Sequence, residues 1–142
     1  MLSYSEIPVF AATLAKQFQP GDTVLLFGGL GAGKTTLVSA ILKEYGMFRV
    51  SSPTFSLVNV YDGAISVAHI DLYRLDGPDS FFSINLDDYF SCPDTLVFVE
   101  WSEKLGDFLP QKYHKIELDW VDEYHRRVCV SLSLSSESDV RT

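Results

Sequence analysis

The sequence predicts an α/β domain in which helices cover both faces of a mixed, mainly parallel β-sheet. A short apolar run at residues 23–27 leads through a glycine-rich segment into a helical pattern, the order strand, loop, helix. A second apolar run at residues 96–99 is typical of another central strand, because strands covered on both faces are continuously apolar. Alternating segments on either side of residues 62–63 and 122–124 indicate two antiparallel hairpins.

We expect one domain over residues 1–134, followed by a polar tail at 135–142. A chain of 142 residues is long enough to bury about two thirds of the surface that its unfolded form exposes. The net charge of −8 argues against a protein that binds DNA or other nucleic acid nonspecifically, because such a protein needs a basic face. No apolar run has membrane-spanning length and no cleavable signal opens the chain, so we expect a cytoplasmic protein. Cys92 and Cys129 lack metal-ligand spacing and are expected to be reduced thiols.

The first element is a helix with one apolar face. Ser3 and Glu6 have the spacing of a capping box at its start. Apolar residues then recur at helical spacing: Ile7, Phe10, Ala11, Leu14, Ala15 and Phe18. A turn separates this helix from the strand at 23–27. A second helix follows Lys34 and is expected to end at Gly46.

The middle of the chain contains the first predicted hairpin. Residues 55–61 and 64–70 are strand-like and are joined across Asp62 and Gly63, a strong hairpin signal. We expect this antiparallel pair to be inserted in an otherwise parallel sheet. Residues 76–90 are expected to form short helices and turns.

The last third of the chain contains the strand at 96–99, one helical turn at 102–105, and a second hairpin. Residues 115–121 and 127–134 alternate between apolar and polar, as half-buried strands do. The apolar residues of the first segment share one face: Ile116, Leu118 and Trp120. We expect the basic residues of this hairpin to be solvated: Lys112, Lys115, Arg126 and Arg127.

The segment after the first strand, GGLGAGKTT, has the phosphate-loop pattern G-x-x-x-x-G-K-[ST]. Backbone N–H groups can surround phosphates only where the chain curls tightly, which glycine allows, and the following helix adds the positive end of its dipole. Lys34 would contact the outer phosphates, and the Thr35 hydroxyl is placed to ligate Mg2+. A glycine-rich turn beside a surface lysine is the weaker interpretation. The expected nucleotide-binding residues are Gly29, Leu30, Gly31, Ala32, Gly33, Lys34, Thr35 and Thr36.

The chemistry of a bound nucleotide also requires an acid, because Mg2+ is held by the loop hydroxyl and by a carboxylate at the end of a neighbouring strand. Asp71 and Glu100 both have that context. We favour Glu100 as the metal ligand beside Thr35, because its strand is the more apolar. Asp71 would then orient the attacking water or also contact the metal. Either acid could instead be an ordinary strand-end carboxylate. We therefore predict Lys34, Asp71 and Glu100 as catalytic residues.

Other residues near these acids have two interpretations each. His69 is either a structural residue or part of the site. Ser52 and Thr54 flank a proline and could close over the phosphates, as nucleotide switch segments do, or form a plain turn. Trp101 could lie beside the nucleotide or pack at the sheet edge. No arginine is obviously placed to stabilise the transition state, so unaided hydrolysis is expected to be slow.

Four segments, GGLGAGKTT, SSPTFSLVNVY, HIDLYRL and VEW, resemble in order and spacing the TsaE family, formerly called YjeE. The resemblance covers roughly residues 10–105. It implies a three-layer P-loop NTPase domain with a mixed sheet, and ATP or ADP with Mg2+. It also implies the partners TsaD and TsaB, which place threonylcarbamoyl on an adenosine next to the anticodon of certain tRNAs. Contact with tRNA would be indirect, and the ATP cycle would reset or activate that complex.

The resemblance also implies roles for particular residues. The phosphates and the metal would be bound by Lys34, Thr35 and Thr36. The first switch would consist of Ser52, Pro53 and Thr54, and the second of the segment from His69 to Arg74. Glu100 and Trp101 would lie at the nucleotide site. One position departs from the family pattern, since Gly29 stands where an Asp is usual.

Three other functions share the phosphate loop. A small P-loop kinase would also need an acceptor segment and an arginine-rich lid, for which too few residues and arginines follow Glu100. A GTPase would need a guanine-selecting stretch such as Asn-Lys-x-Asp, which the sequence lacks. A nucleotide-sensing binding module, in which hydrolysis is incidental, stays open.

Overall fold

The computed structural model of the protein describes residues 2–51, 53, 57–75 and 85–134. Its helices and strands, in chain order, are β1 (Leu2–Ser3), α1 (Ile7–Gln17), β2 (Thr23–Phe27), α2 (Lys34–Glu44), β3 (Val58–Asp62), β4 (Ser66–Asp71), α3 (Leu86–Ser91), β5 (Thr95–Glu100), β6 (Lys112–Asp122) and β7 (His125–Leu134). Two short 3-10 turns, Tyr4–Glu6 and Ser102–Leu105, precede α1 and follow β5. None of the helices described is long and apolar enough to cross a membrane.

The described strands form one sheet of seven, in the order β1-β7-β6-β2-β5-β4-β3. Its four central strands, β6, β2, β5 and β4, run parallel to one another. The pairs β3–β4, β6–β7 and β1–β7 are antiparallel. The predicted mixed sheet, with a parallel centre and two hairpins, is confirmed.

Strand β2 lies at the centre of the sheet and is buried on both faces. Val24 and Leu26 pack with the apolar faces of α1 and α2, and Leu25 packs on the opposite side with residues of α3 and the turn Ser102–Leu105. Successive strand residues point to opposite faces, so the two apolar clusters lie on either side of the sheet. This is the three-layer α/β arrangement that the sequence predicts.

Helix α1 follows its predicted pattern. At the 3-10 turn that leads into α1, the Ser3 N–H donates a hydrogen bond to Glu6 Oε1 at 2.8 Å, as a capping box requires. Five of the six predicted apolar positions are buried: Ile7, Ala11, Leu14, Ala15 and Phe18. Phe10 is partly buried. At the end of α1, the Tyr45 hydroxyl donates to the Ala15 carbonyl at 2.8 Å, satisfying one of the acceptors that a helix end leaves free.

The carboxyl ends of β2, β5 and β4 meet at one edge of the sheet. Strand β5 lies between the other two, and Asp71 at the end of β4 pairs with Glu100 at the end of β5. Residues 28–33 connect the end of β2 to α2 at the same edge. In open α/β sheets, ligands bind outside the carboxyl ends of the strands. The fold therefore brings the glycine-rich loop and both predicted acids to one place.

The first hairpin is confirmed, but its limits differ from the prediction. Strand β3 begins only at Val58, because Leu57 has a left-handed backbone conformation (φ 69°) that regular strand pairing does not accommodate. The prediction of a two-residue turn at Asp62 and Gly63 is wrong. Asp62 still pairs with β4, so the loop consists of residues 63–65.

The second hairpin is longer than predicted. Strand β6 begins at Lys112 and β7 at His125. Because β6 pairs with β2 in the middle of the sheet, Ile116 and Leu118 are buried. Trp120 lies beyond the pairing with β2 and is 57% exposed. The tip of this hairpin therefore extends past the end of β2, next to the glycine-rich loop.

Some predictions fall outside the described residues. These are the switch residues Ser52 and Thr54, the helical structure expected over residues 76–84, and the polar tail at 135–142. Within the part of residues 76–90 that the structure describes, α3 is helical as predicted. The predicted helical turn at 102–105 is also confirmed.

Candidate functional site: the loop after the central strand

Gly28 and Gly33 mark the two ends of the glycine-rich loop at residues 28–33 and shape it there. Gly28 has a φ of 150°, and a Cβ built on it would lie 2.4 Å from the Leu118 carbonyl oxygen of β6. Gly33 caps α2 in a left-handed conformation with a φ of 98°. The first turn of α2 therefore begins directly at the loop, where helical N–H groups have no partner within the helix.

Lys34, the first residue of α2, turns back over the loop. Its Nζ donates hydrogen bonds to the Gly28 and Gly29 carbonyls and lies 4.0 Å from the centre of the Trp101 ring. The residue is 5% exposed. Burial lowers the pKa of Lys34 below its ordinary value. The carboxylates of Glu103, Glu100 and Asp71 oppose that shift by favouring the charged ammonium.

Thr35 and His69 both contact the Glu100 carboxylate. Thr35 Oγ1 donates to Glu100 Oε1 at 2.7 Å, and His69 Nε2 donates to Glu100 Oε2. His69 is completely buried and Glu100 is 2% exposed. A buried carboxylate is stable only when hydrogen bonds replace its hydration. His69 therefore orients Glu100 from inside the protein, while Thr35 approaches it from the loop.

Asp71 and Trp101 both contact Tyr73, which follows β4. Asp71 Oδ1 accepts a hydrogen bond from the Tyr73 N–H at 2.8 Å, and the Tyr73 and Trp101 ring centres are 4.9 Å apart. Trp101 has a left-handed backbone (φ 58°), so the chain turns sharply after β5. Trp101 is thus placed beside Lys34.

A cleft of about 310 Å³ lies between these segments. Its lining includes nine of the residues predicted from the sequence: Leu30, Gly31, Gly33, Lys34, Thr35, Thr36, Asp71, Glu100 and Trp101. Gly29 and Ala32 belong to the loop but do not line the cleft. Their roles in binding, like those of Ser52 and Thr54, stay predictions.

A second cavity, of about 390 Å³, adjoins the first because both share Thr35 and Thr36. Tyr4, Ile7 and Pro8 form one of its walls, and the outer side of α2 forms the other. The apolar pattern at the start of the chain predicts only packing, and no local pattern indicates that Tyr4 lies across from α2.

The prediction that Arg126 is a solvated hairpin charge is wrong, because Arg126 is 7% exposed. Its guanidinium donates to the Asp122 and His125 carbonyls and to the Tyr4 hydroxyl, and it packs against the Tyr4 ring. Its Nε is buried with no hydrogen-bond partner in the described structure, and a Cβ built on Gly33 would lie 3.9 Å from it. The alternation of residues along β7 indicates this burial, because Arg126 lies on the same face as Val128, which packs on the core.

The oxygen donors of the cleft suit a hard divalent cation. The Thr35 hydroxyl and the Glu100 carboxylate are adjacent, and Mg2+ is commonly held by one or two protein oxygens together with substrate phosphates. Nowhere in the described ranges do three or more His, Cys, Asp or Glu residues form a complete metal site. The residues present therefore fit a metal that arrives with a phosphate ligand.

A family model decides the classification of the chain. The model described as "Threonylcarbamoyl adenosine biosynthesis protein TsaE" matches residues 2–128. The chain belongs to the TsaE family. The resemblance found in the four sequence segments is thereby confirmed.

Individual relatives agree with this membership, and three of them are named tRNA threonylcarbamoyladenosine biosynthesis protein TsaE. The one from Rickettsia felis is 33% identical over 95% of this chain and 79% of the relative. The one from Bacillus subtilis is 34% identical over 87% of this chain and 77% of the relative. The one from Haemophilus influenzae is 40% identical over 70% of this chain and 64% of the relative. The crystal structure of Bacillus subtilis YdiB matches the fold with a TM-score of 0.75 and 27% identity, covering 99% of this chain and 86% of that chain.

Gly29, the one position that departs from the pattern implied by the resemblance, has open space around it. A Cβ built on Gly29 would meet no atom within 4 Å. Its carbonyl, which any residue would supply, accepts a hydrogen bond from Lys34. A side chain would therefore fit at position 29, and nothing in the structure explains why the residue there is glycine.

Gly28 and Gly29 form a matched pair for a stability test. We expect Gly28→Ala to lower the free energy of unfolding by about 2 kcal/mol or more, because the new methyl group collides with the backbone of β6. Gly29→Ala should change it by less than about 0.5 kcal/mol. Urea unfolding of both variants measures the difference, and equal stabilities would contradict the described position of the loop.

Proposed function

We propose that this protein is a Mg2+-dependent ATPase with slow intrinsic turnover that supports the tRNA threonylcarbamoyladenosine modification complex. The observation that carries the proposal is the hydrogen bond between Thr35 and Glu100 next to Lys34, in one cleft at the glycine-rich loop. Family membership supplies the pathway. Together they support a nucleotide site whose chemistry serves tRNA modification.

The phosphates of ATP or ADP would lie against the loop and the first turn of α2. The N–H groups at this helix start and the dipole of α2 favour a negative ligand. Lys34 would exchange its carbonyl partners for phosphate oxygens, which is favourable because a buried ammonium is stabilised by an anion far more than by neutral carbonyls. Tight phosphate binding would thus depend on Lys34.

Thr35 and Glu100 would hold Mg2+, and Asp71 would orient the attacking water. When bound, the metal neutralises charge on the β- and γ-phosphate oxygens. His69 keeps the Glu100 carboxylate facing Thr35, so the position of the acid is set before a ligand arrives. Asp71 is 3% exposed and lines the cleft, which supports this role.

The second cavity would take the nucleoside. It adjoins the cleft at Thr35 and Thr36 and is lined on one wall by Tyr4, Ile7 and Pro8. Aromatic and apolar side chains with a few polar groups are the usual lining of a site for a planar base. The buried Arg126, which bonds to Tyr4, would contribute a positive charge near the phosphates.

The partners we propose are TsaD and TsaB, with the protein working in the cytoplasm. Its net charge of −8 disfavours direct binding to tRNA, so tRNA would be reached through the partner proteins. In this scheme the protein does not transfer the threonylcarbamoyl group, and its ATP cycle resets or activates the transferase complex. A small-molecule kinase would instead consume an acceptor, and a nucleotide sensor would show no turnover that depends on partners.

Lys34→Ala tests the proposal. We expect this variant to lose about a hundredfold or more of the ATP turnover measured with TsaD, TsaB and tRNA, because a charge that stabilises the transferring phosphoryl group is lost. Lys112→Ala, at an exposed lysine of β6, is the matched control and should behave as the parent protein. Far-UV circular dichroism should be unchanged in both variants. Parent-like turnover in Lys34→Ala would refute the assignment.

The metal assignment is tested by isosteric substitutions of the two acids. Glu100→Gln should raise the Mg2+ concentration needed for half-maximal turnover by about tenfold, because the ligand charge is lost while the packing is kept. Asp71→Asn should lower kcat with a smaller change in the Mg2+ requirement. Magnesium titrations of ATP hydrolysis measure both effects, and the reverse order would make Asp71 the metal ligand.

A further inference from the structure

The carboxylate of Glu103 contacts the glycine-rich loop, although Glu103 does not line the cleft. Glu103 Oε2 accepts a hydrogen bond from the Gly28 N–H at 2.7 Å, although the two residues are 75 positions apart. Glu103 is exposed and is not among the residues that line the cleft. No motif of the sequence indicates this contact.

The turn that carries Glu103 is firmly anchored. Ser102 is buried, and its hydroxyl donates to the Val99 carbonyl at 2.8 Å. Leu105 is completely buried in the cluster beneath the sheet. Lys104 Nζ donates to the Tyr73 and Leu75 carbonyls, each at 3.0 Å. The 3-10 turn is therefore fixed to β5 and to the segment after β4.

Gly28 is held from three sides. Glu103 accepts its N–H, the Leu118 carbonyl occupies the space that a Cβ would need, and Lys34 donates to its carbonyl. Only the contact from Glu103 involves the peptide that joins β2 to the loop. A loop with four glycines in six residues has many conformations to lose on binding a ligand, and an anchor at its first peptide reduces that loss.

We propose that Glu103 is a positioning residue that fixes the first peptide of the phosphate loop before a nucleotide binds. The inference rests on the proposed nucleotide site. A carboxylate this close to the loop also repels phosphate, so its charge by itself weakens binding. Its benefit is the hydrogen bond to Gly28, which a neutral amide oxygen can also accept.

Two substitutions separate hydrogen bonding from charge. Glu103→Ala removes both, whereas Glu103→Gln removes the charge and keeps an acceptor for the Gly28 N–H. Asp107→Ala is the matched control, because Asp107 is an exposed acid on the same connection. The affinities of the four proteins for ADP and for a non-hydrolysable ATP analogue, each with Mg2+, are measured by isothermal titration calorimetry.

We expect Glu103→Ala to bind both nucleotides about five- to tenfold more weakly, the scale on which one exposed hydrogen bond acts. Glu103→Gln and Asp107→Ala should stay within about twofold of the parent protein. Parent-like affinity of Glu103→Ala would overturn the proposal. So would a loss in Glu103→Gln as large as in Glu103→Ala, because the charge and its effect on Lys34 would then be decisive.

Amide hydrogen exchange of Gly28, followed by NMR in the nucleotide-free proteins, tests the contact without any ligand. The Gly28 N–H should exchange slowly in the parent and in Glu103→Gln, and at least about tenfold faster in Glu103→Ala. Equally fast exchange in the parent and in Glu103→Ala would refute the role of Glu103. If the parent itself bound no nucleotide while its Gly28 amide was protected, the proposed function would fail and the anchoring contact would stand.

Discussion

A hydrogen bond from Thr35 to Glu100 joins the first turn of α2 to the end of β5, across 65 positions of sequence. The Thr35 hydroxyl lies 2.7 and 2.9 Å from the two carboxylate oxygens, and His69 donates to the same carboxylate from the core. An acid as buried as Glu100 would destabilise the protein without such donors. The contact therefore fixes the loop and the neighbouring strands relative to one another, and the geometry of the cleft follows from it.

Around Lys34, the negatively charged groups outnumber the positive charge of its ammonium. The ammonium of Lys34 is influenced by three carboxylates: those of Glu103, Glu100 and Asp71. In a poorly hydrated site, an excess of negative charge is unfavourable for a phosphate ligand unless a cation accompanies it. This imbalance is the physical reason to expect that nucleotide and Mg2+ bind together. The same three carboxylates oppose the lowering of the Lys34 pKa by burial.

The sequence predicts those parts of the site that depend on local pattern. The strand, loop and helix around Lys34 follow from a contiguous motif, and Asp71 and Glu100 follow from their positions at strand ends. Arg126 and Glu103 were missed because their positions depend on how the β6–β7 hairpin and the turn after β5 pack beside the loop. The first hairpin was predicted in kind but not in length, since side-chain preferences at Asp62 do not specify where strand pairing ends.

The central claim is that a nucleotide binds next to Trp101, in the cleft beside Lys34. The fluorescence of Trp101 measures this directly in a Trp120→Phe background, where the exposed tryptophan of the hairpin tip no longer contributes. Adding ADP with Mg2+ should change the emission saturably, because the ligand would displace Lys34 from its place 4.0 Å above the Trp101 ring. The same titration in Trp120→Phe/Lys34→Ala should require at least about tenfold more ADP. A flat titration of the Trp120→Phe protein at millimolar ADP would contradict the account.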